Sequence, residues 1–173
     1  GSESQMTDSV FLSFHYERDC TRVQQVINMG MFDKGDQLLD ANDWEKVRKT
    51  EGIKPWINRQ MGKKSCVIVL TGHETARREL VQYEIERAWN TGKALFGVRI
   101  NRLKSLTTGL QDPNGANPFS IFTTETEPKQ RLDKLVPLYE PPVYSTSTEV
   151  YNWIKVNLPS WIAQAEVQAR GRR

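Results

Sequence analysis

Histidine and cysteine are scarce in this chain, two of each, and no motif with metal-ligand spacing can be assembled from them. Cys20 and Cys66 lie far apart in different predicted elements. They therefore read as free, buried thiols of a reducing compartment rather than as a bridge or a metal site. Long apolar runs are missing as well: none approaches the roughly 20 residues of a membrane-spanning helix, and no secretory apolar segment stands near the N-terminus. The expectation is a cytoplasmic protein with no membrane partner. Charge of one sign is also in short supply. The net charge of +3 draws partly on Arg170, Arg172 and Arg173, which read as a solvated basic tail over 169–173, and it makes no nucleic-acid-binding stripe. Neither common glycine-rich phosphate loop is present, which argues against nucleotide binding by those routes. There is no internal repeat.

What remains suits one globular domain. The 173 residues, 38% hydrophobic and 26% charged, are enough for an ample core. Gly1 to Gln5, ahead of Met6, read as an expression remnant, so the domain is placed at 6–168. Short apolar runs alternate with helical patterns, which predicts an α/β domain with a mostly parallel sheet flanked by helices. Val10 to Phe14 is the first predicted strand, followed by a helix from Asp19 to Met29 with Asp19 as its N-cap. Met31 to Leu39 is an irregular second strand and loop. Asn42 to Gln60 reads as helix interrupted near Gly52 and Pro55.

Cys66 to Leu70 is the clearest buried strand, and a helix from about Thr75 to Trp89 follows, with Gly92 suited to a left-handed cap. Ala94 to Ile100 is the next strand. A long aperiodic stretch from Asn101 to Arg131 then intervenes, a length that in compact domains is usually functional or family-specific. Val136 to Tyr139 is a short last strand. Ser147 to Gln168 is a closing amphipathic helix, bent or broken near Pro159. Trp89, Trp153 and Trp161 fit helix faces and read as core.

One residue breaks the binary pattern. At about 100° per residue, Leu80, Glu84 and Ala88 fall along one line with Val81 and Ile85 beside them, which puts a carboxylate inside an apolar stripe. That position carries a desolvation cost. Either Glu84 is half of a structural ion pair, with Arg77 on the same stripe as the candidate partner, or it belongs to a catalytic site. In open parallel sheets the ligand crevice lies beyond the carboxyl ends of the strands. The first strand delivers Ser13, Phe14, His15 and Tyr16 to that rim, and the Cys66 strand delivers Thr71, Gly72 and His73 just ahead of the Glu84 helix.

Phe11-Leu-Ser-Phe14 followed by Asp19, then a hydrophobic strand and a helix carrying Leu80-Val-Gln-Tyr-Glu84, resembles a TIR domain. The segments His15-Tyr-Glu-Arg-Asp19, Tyr83-Glu-Ile-Glu86, Gly97-Val-Arg-Ile100 and Asn117-Pro-Phe119 are similar to the TIR-like proteins of antiphage Thoeris systems, the ThsB class. Each motif is short; their order and spacing carry the resemblance, over about Val10 to Phe119. It implies a flavodoxin-like fold with a five-stranded, mostly parallel sheet. For enzymatic members it implies cleavage of the nicotinamide–ribose bond of NAD and production of an ADP-ribose-derived signal for a separate effector protein. NAD would be the substrate, with no cofactor or metal. Many TIR domains act instead by self-association, so a non-catalytic interaction module is the competing expectation. A phosphate-accepting receiver domain fits less well, because no acidic pair follows the first strand.

Carried over by position, the catalytic glutamate of enzymatic TIR domains falls on Glu84, and the aromatic and basic residues ending the first strand fall on Phe14 and His15. The usual Trp-Cys ahead of the glutamate is Leu80-Val81, which changes substrate packing more than chemistry. His15 is then a donor to the dinucleotide or a surface histidine, and Phe14 a stacking ring or core. Asp33 and Asp36 are ribose contacts or turn residues. Ser13 and Tyr83 support the pocket, Asn117 fastens the long loop through backbone bonds, and His73 is a solvated loop residue.

Overall fold

The computed structural model describes residues 10–32 and 52–173. Among the described residues four parallel strands form one sheet in the order β1 (Val10–Ser13), β2 (Cys66–Thr71), β3 (Ala94–Arg99) and β4 (Leu138–Tyr139). Helices α1 (Tyr16–Ile27), α2 (Ile53–Gly62), α3 (Glu79–Asn90) and α4 (Ser147–Arg172) cover its two faces. The expected second strand from Met31 to Leu39 and the helical reading from Asn42 to Thr50 fall largely on residues outside those described. Met31 and Phe32, which are described, lie in a turn and bend.

Side chains alternate across a strand, so a strand buried on both faces must be apolar at every position. β2 meets this condition from Cys66 to Leu70, and the buried hydroxyl of Thr71 at its end donates to the Val69 carbonyl at 3.0 Å. Cys66, Ile68 and Leu70 join Phe96 and Val98 of β3 under α1 and α4, while Val67 and Val69 meet Val81, Ile85 and Ala88 of α3 on the other face. Gly97 has a packing role. A Cβ there would stand 3.0 Å from the ring of Phe119 and 2.8 Å from Leu138, so its absence lets the long loop seat an aromatic residue on the sheet. Asn117 shapes that loop locally, its Oδ1 accepting the Phe119 amide two residues on at 2.9 Å.

Several local expectations are corrected. Helix α1 begins at Tyr16, and its N-cap is His15, whose Nδ1 accepts the Arg18 amide at 3.2 Å. Asp19 lies inside the helix. An imidazole nitrogen can serve as a capping acceptor when the ring is in the right tautomer, which leaves Asp19 for another task. The Thr75–Trp89 helix is a short 3-10 turn over Thr75–Arg77 followed by α3. Helix α4 opens with a capping box of Thr146 and Glu149 and continues through Pro159. Burial of Leu158, Trp161 and Ile162 against the sheet offsets the roughly 3 kcal/mol an internal proline costs. The tail at 170–173 is exposed, and two of its arginines also make contacts: Arg172 lies over the Trp89 ring and donates to the Lys93 carbonyl, and Arg173 donates to that of Gly92.

Gly92 has the expected left-handed backbone, φ +74°. Both cysteines are free, Cys66 buried and Cys20 half-buried. No helix among the described residues is long and apolar enough to cross a membrane.

Candidate active site

Parallel pairing sets Ser13 opposite Val69, near the carboxyl edge of the sheet, and α3 packs its apolar stripe across β1, β2 and β3. Glu84 is carried inward by that stripe and is 7% exposed. Its Oε1 accepts a 2.6 Å hydrogen bond from the Ser13 hydroxyl, across 71 positions of sequence. Among the described residues no cation pairs with it. Arg77, the candidate partner, has a side chain 74% exposed and faces Glu74 at 3.8 Å, and Arg78 pairs with Glu17. Burial therefore pushes the Glu84 carboxyl up to about 8, opposed only by the Ser13 bond. A buried carboxylate with one neutral donor and no counter-charge is poised to meet positive charge arriving from outside.

A second cluster occupies the same rim. Asp19 and Arg22, one turn apart on α1, are both buried, and their ion pair is 2.8 Å long. Arg22 also donates to the carbonyls of Leu103 and Leu110, at 2.7 and 2.9 Å, and approaches Asp112 at 3.1 Å. Arg18 bridges Asp112 at 3.0 Å and Glu74 at 3.3 Å, while Nε2 of His15 faces Glu74 at 3.9 Å. Burial pushes the Asp19 carboxyl up against the pull of Arg22. These contacts bind the start of the long loop to α1. Its aperiodic sequence is thus pinned to α1 at this rim.

The sequence profile described as "Thoeris protein ThsB, TIR-like domain" matches residues 11–105, a span that runs from β1 past β3 and holds both Ser13 and Glu84. The chain belongs to this family. A protein of Bacillus cereus (strain MSX-D12) named "Putative cyclic ADP-D-ribose synthase ThsB1" is 32% identical over 123 residues, 68% of this chain. The aligned part is 64% of that relative's own length, less than two thirds of it.

Within the ThsB frame, the sequence-predicted residues divide by contact. Ser13 and Glu84 meet. Tyr83 turns away from the carboxylate: its hydroxyl donates to Asn58 at 2.5 Å and Lys54 lies 5.1 Å over its ring. Leu80 is partly buried beside the α2–α3 core. Phe14 is half-buried, packed against the opposite core with its ring 6.2 Å from that of Tyr16. His15 is buried at the rim, committed through Nδ1 to its cap. Asp33 and Asp36 lie outside the described residues. His73 is half-buried and its Nδ1 meets the Pro113 carbonyl at 3.1 Å, so it ties the loop down and is not simply solvated.

Arg18, Arg22, Glu74 and Asp112 of this ThsB-family chain were missed from sequence. For Arg22 a signal exists, since Asp19 and Arg22 stand at ion-pair spacing beside the inward Val23 and Val26. Asp112 gives none, because nothing local to an aperiodic loop says which helix it will meet.

Proposed function

We propose that this chain is an NAD-consuming TIR enzyme that cleaves the nicotinamide–ribose bond and makes an ADP-ribose-derived nucleotide, cyclic by preference, as a signal in antiphage defence. The single observation that carries this reading is the buried Glu84 carboxyl, held by a hydroxyl and lacking a cation among the described residues. The family match and the name of the Bacillus cereus relative support it.

NAD brings a positively charged nicotinamide ring, and a cation entering beside Glu84 favours the ionised carboxylate. As the glycosidic bond breaks, the bonding electrons leave with nicotinamide, which departs neutral, and the positive charge passes to the ribose. A carboxylate fixed nearby stabilises that charge more than it stabilises the ground state. Binding of the adenosine half orients the reacting ribose. An internal nucleophile of the dinucleotide then captures the ribosyl cation in place of water, an outcome that a dry pocket favours. No metal or cofactor takes part in these steps.

The same reading places the protein in the cytoplasm, with a separate effector protein responding to the product. It also includes a five-stranded, flavodoxin-like sheet; among the described residues β1 pairs only with β2, which leaves an edge for a further strand.

The test is to incubate pure protein with NAD, with and without extract from phage-infected cells, following nicotinamide by chromatography and the nucleotide product by mass spectrometry. Nicotinamide release with a cyclic ADP-ribose isomer is the expected result. No release under either condition, together with concentration-dependent self-association, would replace the enzyme with an interaction module.

A further inference from the structure

Ser13 closes β1, is fully buried, and spends its hydroxyl proton on Glu84 Oε1 at 2.6 Å. The proton therefore points at the carboxylate and is not offered to a ligand. A hydroxyl donating to a carboxylate strengthens when the acceptor is ionised and has no equivalent bond to give when the acceptor holds the proton at that oxygen. It also removes one of the carboxylate's rotational choices, since Oε1 is tied to the end of a strand. Oε2 has no hydrogen-bond partner among the described residues.

We infer that Ser13 is a positioning residue for the proposed reaction, fixing the Glu84 carboxyl through Oε1, favouring its ionised form and leaving Oε2 to face the substrate ribose. The inference rests on the proposed function and deepens it. Ser13 acts through Glu84 and touches no reacting atom.

The surroundings of α3 supply no competing control among the described residues. On the 3-10 turn and the start of α3, Glu74 and Arg77 face one another, and Arg78 pairs with Glu17. On β1 and α1, His15 and Arg18 face Glu74, and Asp19 is held by Arg22. Arg99 of β3 bonds Glu140 and the Gly115 carbonyl. From α2, Lys54 lies over the Tyr83 ring, the Tyr83 hydroxyl is bonded to Asn58, and Arg59 is exposed. Cys66, at the far end of β2, is buried beside the other helical layer. Only burial and the Ser13 bond act appreciably on the Glu84 carboxyl.

The experiment compares wild type, Ser13→Ala, Ser13→Thr and Glu84→Gln in NAD turnover from pH 6 to 10, with a parallel titration of the carboxyl by 13C NMR in selectively labelled protein. A charge-assisted hydrogen bond of this kind is worth on the order of tenfold in proton affinity. In Ser13→Ala the ascending limb of kcat/KM should therefore move up by about one pH unit. Activity should fall about tenfold near neutral pH and recover to within a few-fold of wild type at the alkaline plateau. Ser13→Thr, which keeps the hydroxyl, should restore the limb, and the carboxyl resonance should titrate later in Ser13→Ala alone. A loss that is uniform across pH, or a carboxyl titration unmoved by Ser13→Ala, overturns the inference while leaving the enzyme reading intact. An active Glu84→Gln overturns both.

Discussion

Two buried carboxylates stand at the same rim and have been treated in opposite ways. Asp19 is paired at 2.8 Å with a guanidinium that is itself 1% exposed and also bound to two backbone carbonyls and to Asp112. Glu84 has a single hydroxyl. Removing a charge from water costs several kcal/mol unless a partner of opposite sign stands close. The Asp19 cluster meets that condition internally and so acts as a clamp between α1 and the long loop. The Glu84 site leaves it unmet among the described residues. The lesson is that burial alone does not distinguish structure from function; the partner does.

The sharpest way to break the comparison is Glu84→Gln. Turnover of NAD should drop about a thousandfold or more, the scale seen when a group stabilising transition-state charge is removed, as nicotinamide release will measure. Stability should move the other way. Burial raises the Glu84 carboxyl from 4.5 to about 8, so the folded protein holds that proton more tightly than the unfolded chain. Its contribution is fully present below about pH 4.5 and is lost as pH rises through 8, a fall on the order of 4–5 kcal/mol. Urea unfolding at pH 6 and pH 9 should show wild type weakening relative to Glu84→Gln. Asp19 is also raised, but it is present in both proteins and cancels in the difference. A Glu84→Gln protein that is less stable at both pH values would return Glu84 to the structural class.

Arg22→Met is the mirror experiment. It strands Asp19 and weakens the hold on Asp112, and should cost about 3–5 kcal/mol in urea unfolding. The cost should shrink as pH falls, because a protonated Asp19 no longer needs its cation. A variant as stable as wild type would dissolve the clamp.

Gly72→Ala probes the same clamp by volume. A Cβ there would collide with the Asp19 carboxylate, and displacing a fixed ion pair in a packed site should cost about 1–3 kcal/mol. At Gly62 a Cβ meets nothing within 4 Å, so Gly62→Ala should leave the melting temperature unchanged or slightly raised.

A modest effect is expected at His15, which caps α1 and faces Glu74 at 3.9 Å. His15→Ala removes the α1 cap and should cost about 1 kcal/mol, which His15→Asn should restore. The Michaelis constant for NAD then separates two roles. If Asn recovers stability but not the constant, the imidazole contacts the dinucleotide; recovery of both makes it a cap alone.

Much of this was legible in the chain before any coordinates. β2 matches its predicted span nearly to the residue because an uninterrupted apolar run between Gly62 and Thr71-Gly72 has few other solutions in an α/β protein. The inward face of α3, and with it the anomaly at Glu84, followed from periodicity. The cap of α1 did not, since Asp is the commoner capping residue and nothing local says that His15 will turn its Nδ1 back to Arg18. The basic tail is exposed as its arginines suggest, but its contacts were not legible, since nothing local places the Trp89 ring of another helix beneath Arg172.

The sequence by itself determined which face each residue takes on its own element, because the periods of helix and strand are properties of the local backbone. It therefore determined that Glu84 would be buried. Only the tertiary structure decided what Glu84 would meet. The register of parallel strands joined by long crossovers brings Ser13 to it across 71 residues and turns Arg77 away toward Glu74. The electrostatics of a buried carboxyl depend on those partners within a few ångströms and not on its neighbours in the chain.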